Sequence, residues 1–245
     1  FAREKAIRDQ EQIIPIFILD EKNKRKLGGA SKWFLHFALE ELQKNLQRLG
    51  LDLLFFHGDS LEILSKISEK NFISEIYFNR LYEPFNINIQ KHIEKWAESK
   101  NIQIFSFKSY LLFEPNQIKN GQGSYFKVFT PFWKHCLKNW NLILKPLKSP
   151  EPEEEYIHGL NKEKLPNVEK IQLSSLNLLP KNPNWANNFR GIWQFEYKEI
   201  INNFSNFLVN NLKNYKENRN FPALKSTSKI SAYLHFGLIS IAEII

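Results

Sequence analysis

Apolar and polar residues follow two alternating patterns over the first 110 residues. One continuous apolar run, residues 13–19, and three mostly apolar runs of strand length are separated by segments in which apolar residues recur every three or four positions. The first pattern is typical of strands buried on both faces and the second of amphipathic helices. Strands that alternate with helices predict crossover connections and a parallel sheet, which is an α/β fold. The predicted strands are residues 13–19, 51–56, 73–78 and 102–107.

Two helices in this part have clear boundary signals. Leucines spaced four and three residues apart predict a helix that follows Ser31 and stops at Gly50, a natural C-terminal cap. Asp59 is expected to cap a second helix that runs to Lys70, with Glu62 completing a capping box.

Ligands bind at the carboxyl ends of parallel strands, so polar residues there are candidates for ligand binding or catalysis. His57 and Asp59 follow the second strand, and Glu83 follows the third. An acid–base role for His57 and Asp59 competes with plain turn formation, which Gly58-Asp59 favours. Glu83 is either a ligand contact or an acid that caps the next helix, and the pattern favours the cap.

The periodicity fades between residues 141 and 184. Six of the chain's 11 prolines lie in this stretch, and proline interrupts both helices and central strands. The segment is therefore predicted to be a long interdomain connector. Beyond it, residues 189–215 have a helical pattern, and a further helix is predicted to begin near Ser228.

The composition narrows the class of protein. The 245 residues are 42% hydrophobic and 24% charged, which is ordinary for a globular chain. Cys136 is the single cysteine, so a disulfide framework and a cysteine-only metal site are excluded, and a reducing, cytoplasmic compartment is expected. No apolar run approaches the roughly 20 residues that cross a bilayer. With no methionine and with Phe1 first, the chain is expected to be a fragment of a longer product.

A net charge of +8 permits a polyanionic partner, although a merely basic protein has the same charge. Basic residues crowd residues 213–229, with Tyr215 and Phe221 between them, as suits a phosphate backbone and stacked bases. A solvated helix end is the alternative. The basic residues are Lys213, Lys216, Arg219, Lys225 and Lys229.

Hydroxyl residues stand where the last helix is predicted to begin. Thr227, Ser228 and Ser231 can bind a phosphate there, because the backbone N–H groups at a helix N-terminus also attract anions. The alternative is plain N-capping, which is common at such positions.

Four motifs in order along the chain resemble the DNA photolyase/cryptochrome family, with the greatest likeness to bacterial class I cyclobutane pyrimidine dimer photolyases. They are LGGASKWFLHFALEEL (27–42), YFNRLYEP (77–84), YFKVFTPFW (125–133) and YKENRNFPALKSTSKISAYLHFG (215–237). The resemblance implies a Rossmann-like antenna domain over residues 1–135, a connector over 136–184, and the start of an all-helical FAD domain over 185–245.

The resemblance also implies a site. By position, FAD would be held by Tyr215, Thr227, Ser228, Lys229, Ile230 and Ser231, while Arg219 would contact DNA. The implied reaction is blue-light-driven electron transfer from FAD that splits pyrimidine dimers in DNA, and no catalytic residue or metal is expected within this chain. The expected protein is a monomer.

A second, antenna chromophore is implied without an identity; folate, deazaflavin and others stay open. Phe85 and Asn86 depart from the pattern of folate-binding relatives, so no antenna ligands are assigned. Two other functions remain open: a cryptochrome-type photoreceptor, and a Rossmann-like module that binds another nucleotide.

Overall fold

A computed structural model describes residues 12–22, 26–108, 110–143 and 170–244. The chain divides into two compact units. The first comprises Phe1–Phe107 and Pro150–Phe195, and the second comprises Lys108–Ser149 and Glu196–Ile245. Most of the predicted connector lies outside the described residues, and the predicted domain boundaries stay a prediction.

The first unit contains the four predicted strands, in shorter form. They are β1 (Ile16–Leu19), β2 (Leu54–His57), β3 (Glu75–Asn79) and β4 (Gln103–Phe107). β1 pairs in parallel with β2, and β3 pairs in parallel with β4. The predicted parallel pairing is therefore confirmed, but the described strands form two small sheets instead of one continuous sheet.

The helices of this unit are α1 (Gly29–Arg48), α2 (Ser60–Lys70) and α3 (Pro84–Ser99). α1 ends as predicted: Gly50 has a φ of 70°, its N–H donates to the carbonyl of Gln47, and the N–H of Leu51 donates to that of Leu46. These two hydrogen bonds satisfy carbonyl groups in the last turn of the helix. They require a left-handed backbone at Gly50, which glycine adopts without strain.

The N-cap of α2 is as predicted, but the second hydrogen bond of the predicted capping box, from the Asp59 N–H to the Glu62 side chain, is not formed. The carboxylate of Asp59 accepts a hydrogen bond of 2.8 Å from the backbone N–H of Glu62, which is the N-cap interaction. α3 has Pro84 at its first position, where the absent N–H costs nothing.

The main core of the first unit joins β1, α1 and β2 to the end of the proline-rich stretch. Leu176 and Leu178 are buried against Leu19 and Phe55, and Ile171 forms an isolated antiparallel bridge with Phe55. Leu176 ends a short 3₁₀ turn, Leu173–Leu176, and Leu178 lies two residues beyond it. Residues 171–178 thus pack in the core of this unit, although their sequence lacks regular periodicity.

Aromatic rings form a second buried cluster around Trp33, which is 4% exposed and lies on the apolar stripe of α1. Its ring centroid lies 4.6 Å from that of Phe37 and 5.9 Å from that of Phe195. Arg190 closes the cluster, with its guanidinium 4.1 Å from the ring centroid of Phe37 and 3.3 Å from a carboxylate oxygen of Glu40. These aromatic residues therefore have a structural role in the packing of the first unit.

The described part of the second unit is helical. Its helices are α4 (Phe129–Lys138), α5 (Tyr197–Asn210), α6 (Tyr215–Asn218) and α7 (Ile230–His235), and a 3₁₀ turn at Ile241–Glu243 carries a complete capping box with Ser240. Ile200, Phe207, Tyr233 and Cys136 are buried. Among the helices that the structure describes, none has the length and apolar character needed to cross a membrane.

Candidate functional site

All the residues predicted to bind FAD or DNA lie in the second unit, on or next to α6, on α7 and on the loop between them. We call residues 215–231 the hydroxyl corner. α6 is a single turn, closed by a 3.0 Å hydrogen bond from the N–H of Arg219 to the carbonyl of Tyr215. The loop returns to this turn through Ser226, whose hydroxyl donates to the carbonyl of Asn218 at 2.9 Å. One partly buried hydrogen bond therefore ties the loop to the turn of α6.

Ser226 is a structural residue that the sequence analysis missed. It is 3% exposed, and within the part of the chain described it is one of two buried polar residues, with Glu41. A buried hydroxyl that has lost water is stable when it finds an acceptor, and the carbonyl of Asn218 is that acceptor. A serine in a polar loop carries no signal of burial, so the pattern of the sequence did not distinguish Ser226 from Thr227.

α7 begins without a side-chain cap. Its N-cap residue is Lys229, which has a φ of 55° and makes no capping hydrogen bond. The backbone nitrogen of Ile230 lies 3.5 Å from the hydroxyl of Ser228, beyond the ordinary range of about 2.7–3.2 Å for such hydrogen bonds. Thr227 and Ser231 are exposed. Plain N-capping, the alternative interpretation of these hydroxyls, therefore does not describe Thr227 or Ser231.

The predicted residues at the start of α7 differ in exposure and in the groups that they can donate to a ligand. Ser228 and Ile230 are half-buried, and Ile230 offers a polar group through its backbone only. Lys229 and Ser231 are exposed at the helix start. Together they present hydroxyl, N–H and ammonium donors, a set that suits phosphate oxygens.

Tyr215 and Arg219 are in contact on the other side of the corner. The guanidinium carbon of Arg219 lies 5.3 Å from the ring centroid of Tyr215, within cation–π distance. Tyr215 packs edge-on against Phe207, with ring centroids 5.8 Å apart, so a buried residue of α5 fixes its orientation. Arg219 is exposed and makes no ion pair with any residue that the structure describes.

The surface around the corner is basic and partly aromatic. Phe221 is 59% exposed beside Arg219, and the nearby lysines are also exposed. These lysines are Lys213, Lys216, Lys225 and Lys229. Such a surface attracts a polyanion, and a bare phenyl ring offers a stacking face.

The candidate residues at and just after the end of β2 in the first unit, His57 and Asp59, each contact a charged residue. His57 contacts Glu21 at 3.3 Å, whereas Asp59 pairs with Lys22 at 2.5 Å. The hydrogen bond from Lys22 lowers the pKa of Asp59 below its ordinary value. His57 and Asp59 thus have different partners, so the weak acid–base hypothesis gains no support.

Asp20 and Glu83 also have local partners. Asp20 accepts hydrogen bonds from the backbone N–H and the hydroxyl of Ser60, at 3.0 and 2.9 Å. Glu83 occupies the N-cap position of α3 and accepts from the side chain of Asn86 at 3.1 Å, without bonding the helix backbone. No cluster of metal-ligating side chains exists among the described residues.

Comparison with known proteins identifies the relatives of this chain. A family model described as DNA photolyase matches residues 2–153. A deoxyribodipyrimidine photo-lyase from Agrobacterium fabrum is 31% identical over 95% of this chain and 46% of the relative. One from Synechococcus is 28% identical over 95% of the chain and 47% of the relative. The chain spans about half the length of these curated relatives.

Solved structures agree on the fold. A bacterial class III photolyase from Agrobacterium tumefaciens superimposes with a TM-score of 0.79 at 28% identity, covering 99% of this chain and 48% of that one. A Synechocystis cryptochrome gives a TM-score of 0.68 at 19% identity, covering 99% and 50%. The expected class I assignment stays a prediction. The α/β fold with flanking helices, the four ordered motifs and the match over more than half the residues lead to one conclusion: this chain belongs to the DNA photolyase family.

Proposed function

We propose that the whole protein containing this chain is a deoxyribodipyrimidine photo-lyase. The single observation that supports this most strongly is the hydroxyl corner, because it combines donors for a phosphate with an exposed cation in a chain of this family. Its curated relatives from Agrobacterium fabrum and Synechococcus carry that enzyme name. We assign residues 1–135 to an antenna domain, 136–184 to a connector and 185–245 to the opening of an FAD domain.

FAD is the cofactor that the corner suits, by the chemistry of its donors. The hydroxyls of Thr227 and Ser231 are exposed and uncommitted to the helix, so they are available to a pyrophosphate. The backbone N–H groups at the start of α7 and the ammonium of Lys229 add positive character there. Tyr215, held by Phe207, would orient the bound molecule from α6. When bound, FAD supplies the light-driven electron transfer that breaks the cyclobutane bonds.

Arg219 is proposed to contact the DNA. Its guanidinium is exposed, and the ring of Tyr215 limits its orientations. A planar cation in this setting suits a phosphate of the damaged strand and positions the DNA without reading its sequence.

The direct test uses the full-length parent loaded with FAD. Under blue light it should remove thymine dimers from ultraviolet-irradiated DNA, and the same mixture kept in the dark should not. Dimer loss is measured by chromatography of the digested DNA. Full flavin occupancy with no light-dependent repair would refute the enzyme assignment.

A cryptochrome-type photoreceptor is the second candidate, because relatives of this kind also match. Arabidopsis cryptochrome-2 is 27% identical over 95% of this chain and 38% of the relative. In that case light should reduce or oxidise the bound flavin with no change in the dimer content of DNA. The repair assay therefore separates the two functions.

A second chromophore is proposed without an identity. The archaeal photolyase from Sulfolobus tokodaii was solved with two FAD molecules, and its likeness to this chain, at 23% identity and a TM-score of 0.66, shows the fold alone. Mass spectrometry of small molecules released from the purified parent would show whether folate, a deazaflavin or another pigment accompanies FAD.

A further inference from the structure

Phe221 is an aromatic residue of the hydroxyl corner that has no role in the core or in the site assigned above. Its side chain is 59% exposed, and it forms no aromatic or cation–π contact with any residue that the structure describes. A single exposed phenyl ring is common on protein surfaces and does not indicate a ligand by itself. The backbone of Phe221 and the charges around it distinguish it from such a ring.

Hydrogen bonds on both sides fix the backbone of Phe221. Its N–H donates to the carbonyl of Asn218 at 3.1 Å, and its carbonyl accepts from the N–H of Leu224 at 3.0 Å. Pro222 follows in the second position of this turn, which proline favours, and it restricts the conformation of the residue before it. The same carbonyl of Asn218 accepts from the hydroxyl of Ser226. The exposed ring is therefore carried by an ordered turn.

Tyr215 is the other aromatic residue of the basic segment 213–229, and its ring already has partners. The ring of Phe207 packs edge-on against it at 5.8 Å, and the guanidinium carbon of Arg219 lies 5.3 Å from its centroid. Tyr215 is also half-buried. Phe221 is thus the ring of this segment that is available to stack on a ligand.

The surroundings of Phe221 are basic. Residues 213–229 carry five basic side chains, all of them exposed, and one acidic side chain, Glu217. Arg219 lies two residues before Phe221, so their Cα atoms are at most about 7 Å apart. Successive nucleotides of a strand rise about 3.4 Å along a duplex. A phosphate held by Arg219 would therefore bring a base of the same strand within reach of Phe221.

Nucleobases suit an exposed phenyl ring because stacking requires a π face and no particular sequence. In an intact duplex each base is covered on both faces by its neighbours, whereas a damaged base that leaves the stack exposes the face of the next base. A lipid surface also attracts basic and apolar residues, but it binds amphipathic helices with a long apolar face, and α6 is a single turn. A base exposed beside a lesion fits this surface better.

We infer that Phe221 stacks on the base next to the lesion in the damaged strand, while Arg219 contacts a neighbouring phosphate. The inference rests on the proposed function, because it takes damaged DNA as the ligand of this surface. It adds a contact with a base to the phosphate contact of Arg219. The ring would replace the stacking partner that the base loses when the lesion leaves the helix.

The test measures DNA binding in the dark by the full-length parent loaded with FAD. The ligand is a duplex with one thymine dimer, and fluorescence anisotropy gives the affinity. Phe221→Ala should weaken binding about five-fold or more, and the slope of log affinity against log salt should not change because no charge is removed. Phe221→Trp should preserve the affinity, whereas Phe221→Leu keeps apolar bulk without a ring and should not. An unchanged affinity in Phe221→Ala, or full rescue by leucine, would overturn the inference.

Removal of the base identifies the partner of the ring. Two further duplexes carry an abasic site directly 5′ or directly 3′ of the dimer. On one of them the effect of Phe221→Ala should fall below about two-fold, because the ring has lost the base on which it stacks. An undiminished effect on both duplexes would overturn the inference. Flavin occupancy and far-ultraviolet circular dichroism confirm that each variant is folded.

Leu224→Ala is the matched control, since it removes another exposed apolar side chain from the same turn. It should leave the affinity nearly unchanged, and a loss equal to that of Phe221→Ala would contradict stacking. Blue-light repair of dimers by the same preparation tests the proposed function separately. Repair without coupling between Phe221 and a base would overturn this inference alone. Coupling without repair would support it and refute the enzyme assignment.

Discussion

Neighbouring hydroxyls in the hydroxyl corner have opposite roles. Ser226 is buried and holds the loop to α6 through the carbonyl of Asn218, whereas Thr227 is exposed. The left-handed backbone at Lys229 then starts α7 without a side-chain cap, which leaves Ser231 uncommitted as well. At the scale of single residues, the corner is held in place by one hydroxyl and can offer others to a ligand.

The first prediction concerns those exposed hydroxyls. In the full-length protein, Thr227→Ala combined with Ser231→Ala should weaken FAD binding at least about ten-fold, because each hydrogen bond to a charged oxygen is worth roughly 1.5–3 kcal/mol. Flavin fluorescence during titration measures the affinity. Ser205→Ala removes an exposed hydroxyl from the middle of α5 and is the control. An unchanged affinity in the double variant would move the phosphate away from α7.

The second prediction concerns Asp59 at the start of α2. Its pKa is lowered, chiefly by the hydrogen bond from Lys22, so its carboxylate stabilises the fold fully above the unfolded-state pKa. That stabilisation is lost as the pH falls through the lower, folded-state pKa. Asp59→Asn keeps a capping oxygen but removes the charge, so near pH 7 it should cost about 0.2–1 kcal/mol.

Urea unfolding of both proteins measures this effect across the acid range. The difference between them should be constant above the unfolded-state pKa of Asp59 and should shrink as the pH falls through the lower, folded-state pKa. Glu69→Gln, on an exposed position of α2, should show no such pH dependence. A difference that grows on acidification would contradict the assigned direction of the pKa.

At the scale of elements, local signals explain what the sequence predicted well. The stop at Gly50 and the cap at Asp59 depend on a few adjacent residues, and both are present in the structure. Parallel pairing followed from alternating periods along the chain. Residues 171–178 gave no such signal, because their two buried leucines sit in a 3₁₀ turn and a coil whose position is set by distant residues.

The third prediction tests that buried segment with two adjacent leucines. Leu178 is 3% exposed and Leu179 is 37% exposed. Leu178→Ala should destabilise the first unit by about 2–5 kcal/mol, because it leaves a cavity against the core of β1 and β2. Leu179→Ala should change stability by no more than about 0.5 kcal/mol. Equal effects in thermal unfolding would show that residues 171–178 do not belong to the core.

At the scale of the molecule, neither the chain's net charge nor its coverage of its relatives identifies a function by itself. A net charge of +8 is compatible with DNA but does not select it. The chain covers 46% and 47% of two curated relatives, so light-driven repair by the whole protein is a proposal. Tyr215 and the residues of α7 could be named from the sequence because a family motif marks them, whereas the support from Phe207 and Ser226 required the fold.

The last prediction places Arg219 on the DNA backbone. In the full-length protein, Arg219→Ala should weaken binding to irradiated DNA by about 1–3 kcal/mol and reduce the slope of log affinity against log salt by about 0.9, the value for one phosphate contact. Lys198→Ala, which removes an exposed cation from α5, is the matched control and should leave both quantities nearly unchanged. If both variants lose affinity equally, the effect comes from diffuse charge on the basic surface. A selective loss at Arg219 means that this cation, which lies over the ring of Tyr215, contacts a particular phosphate.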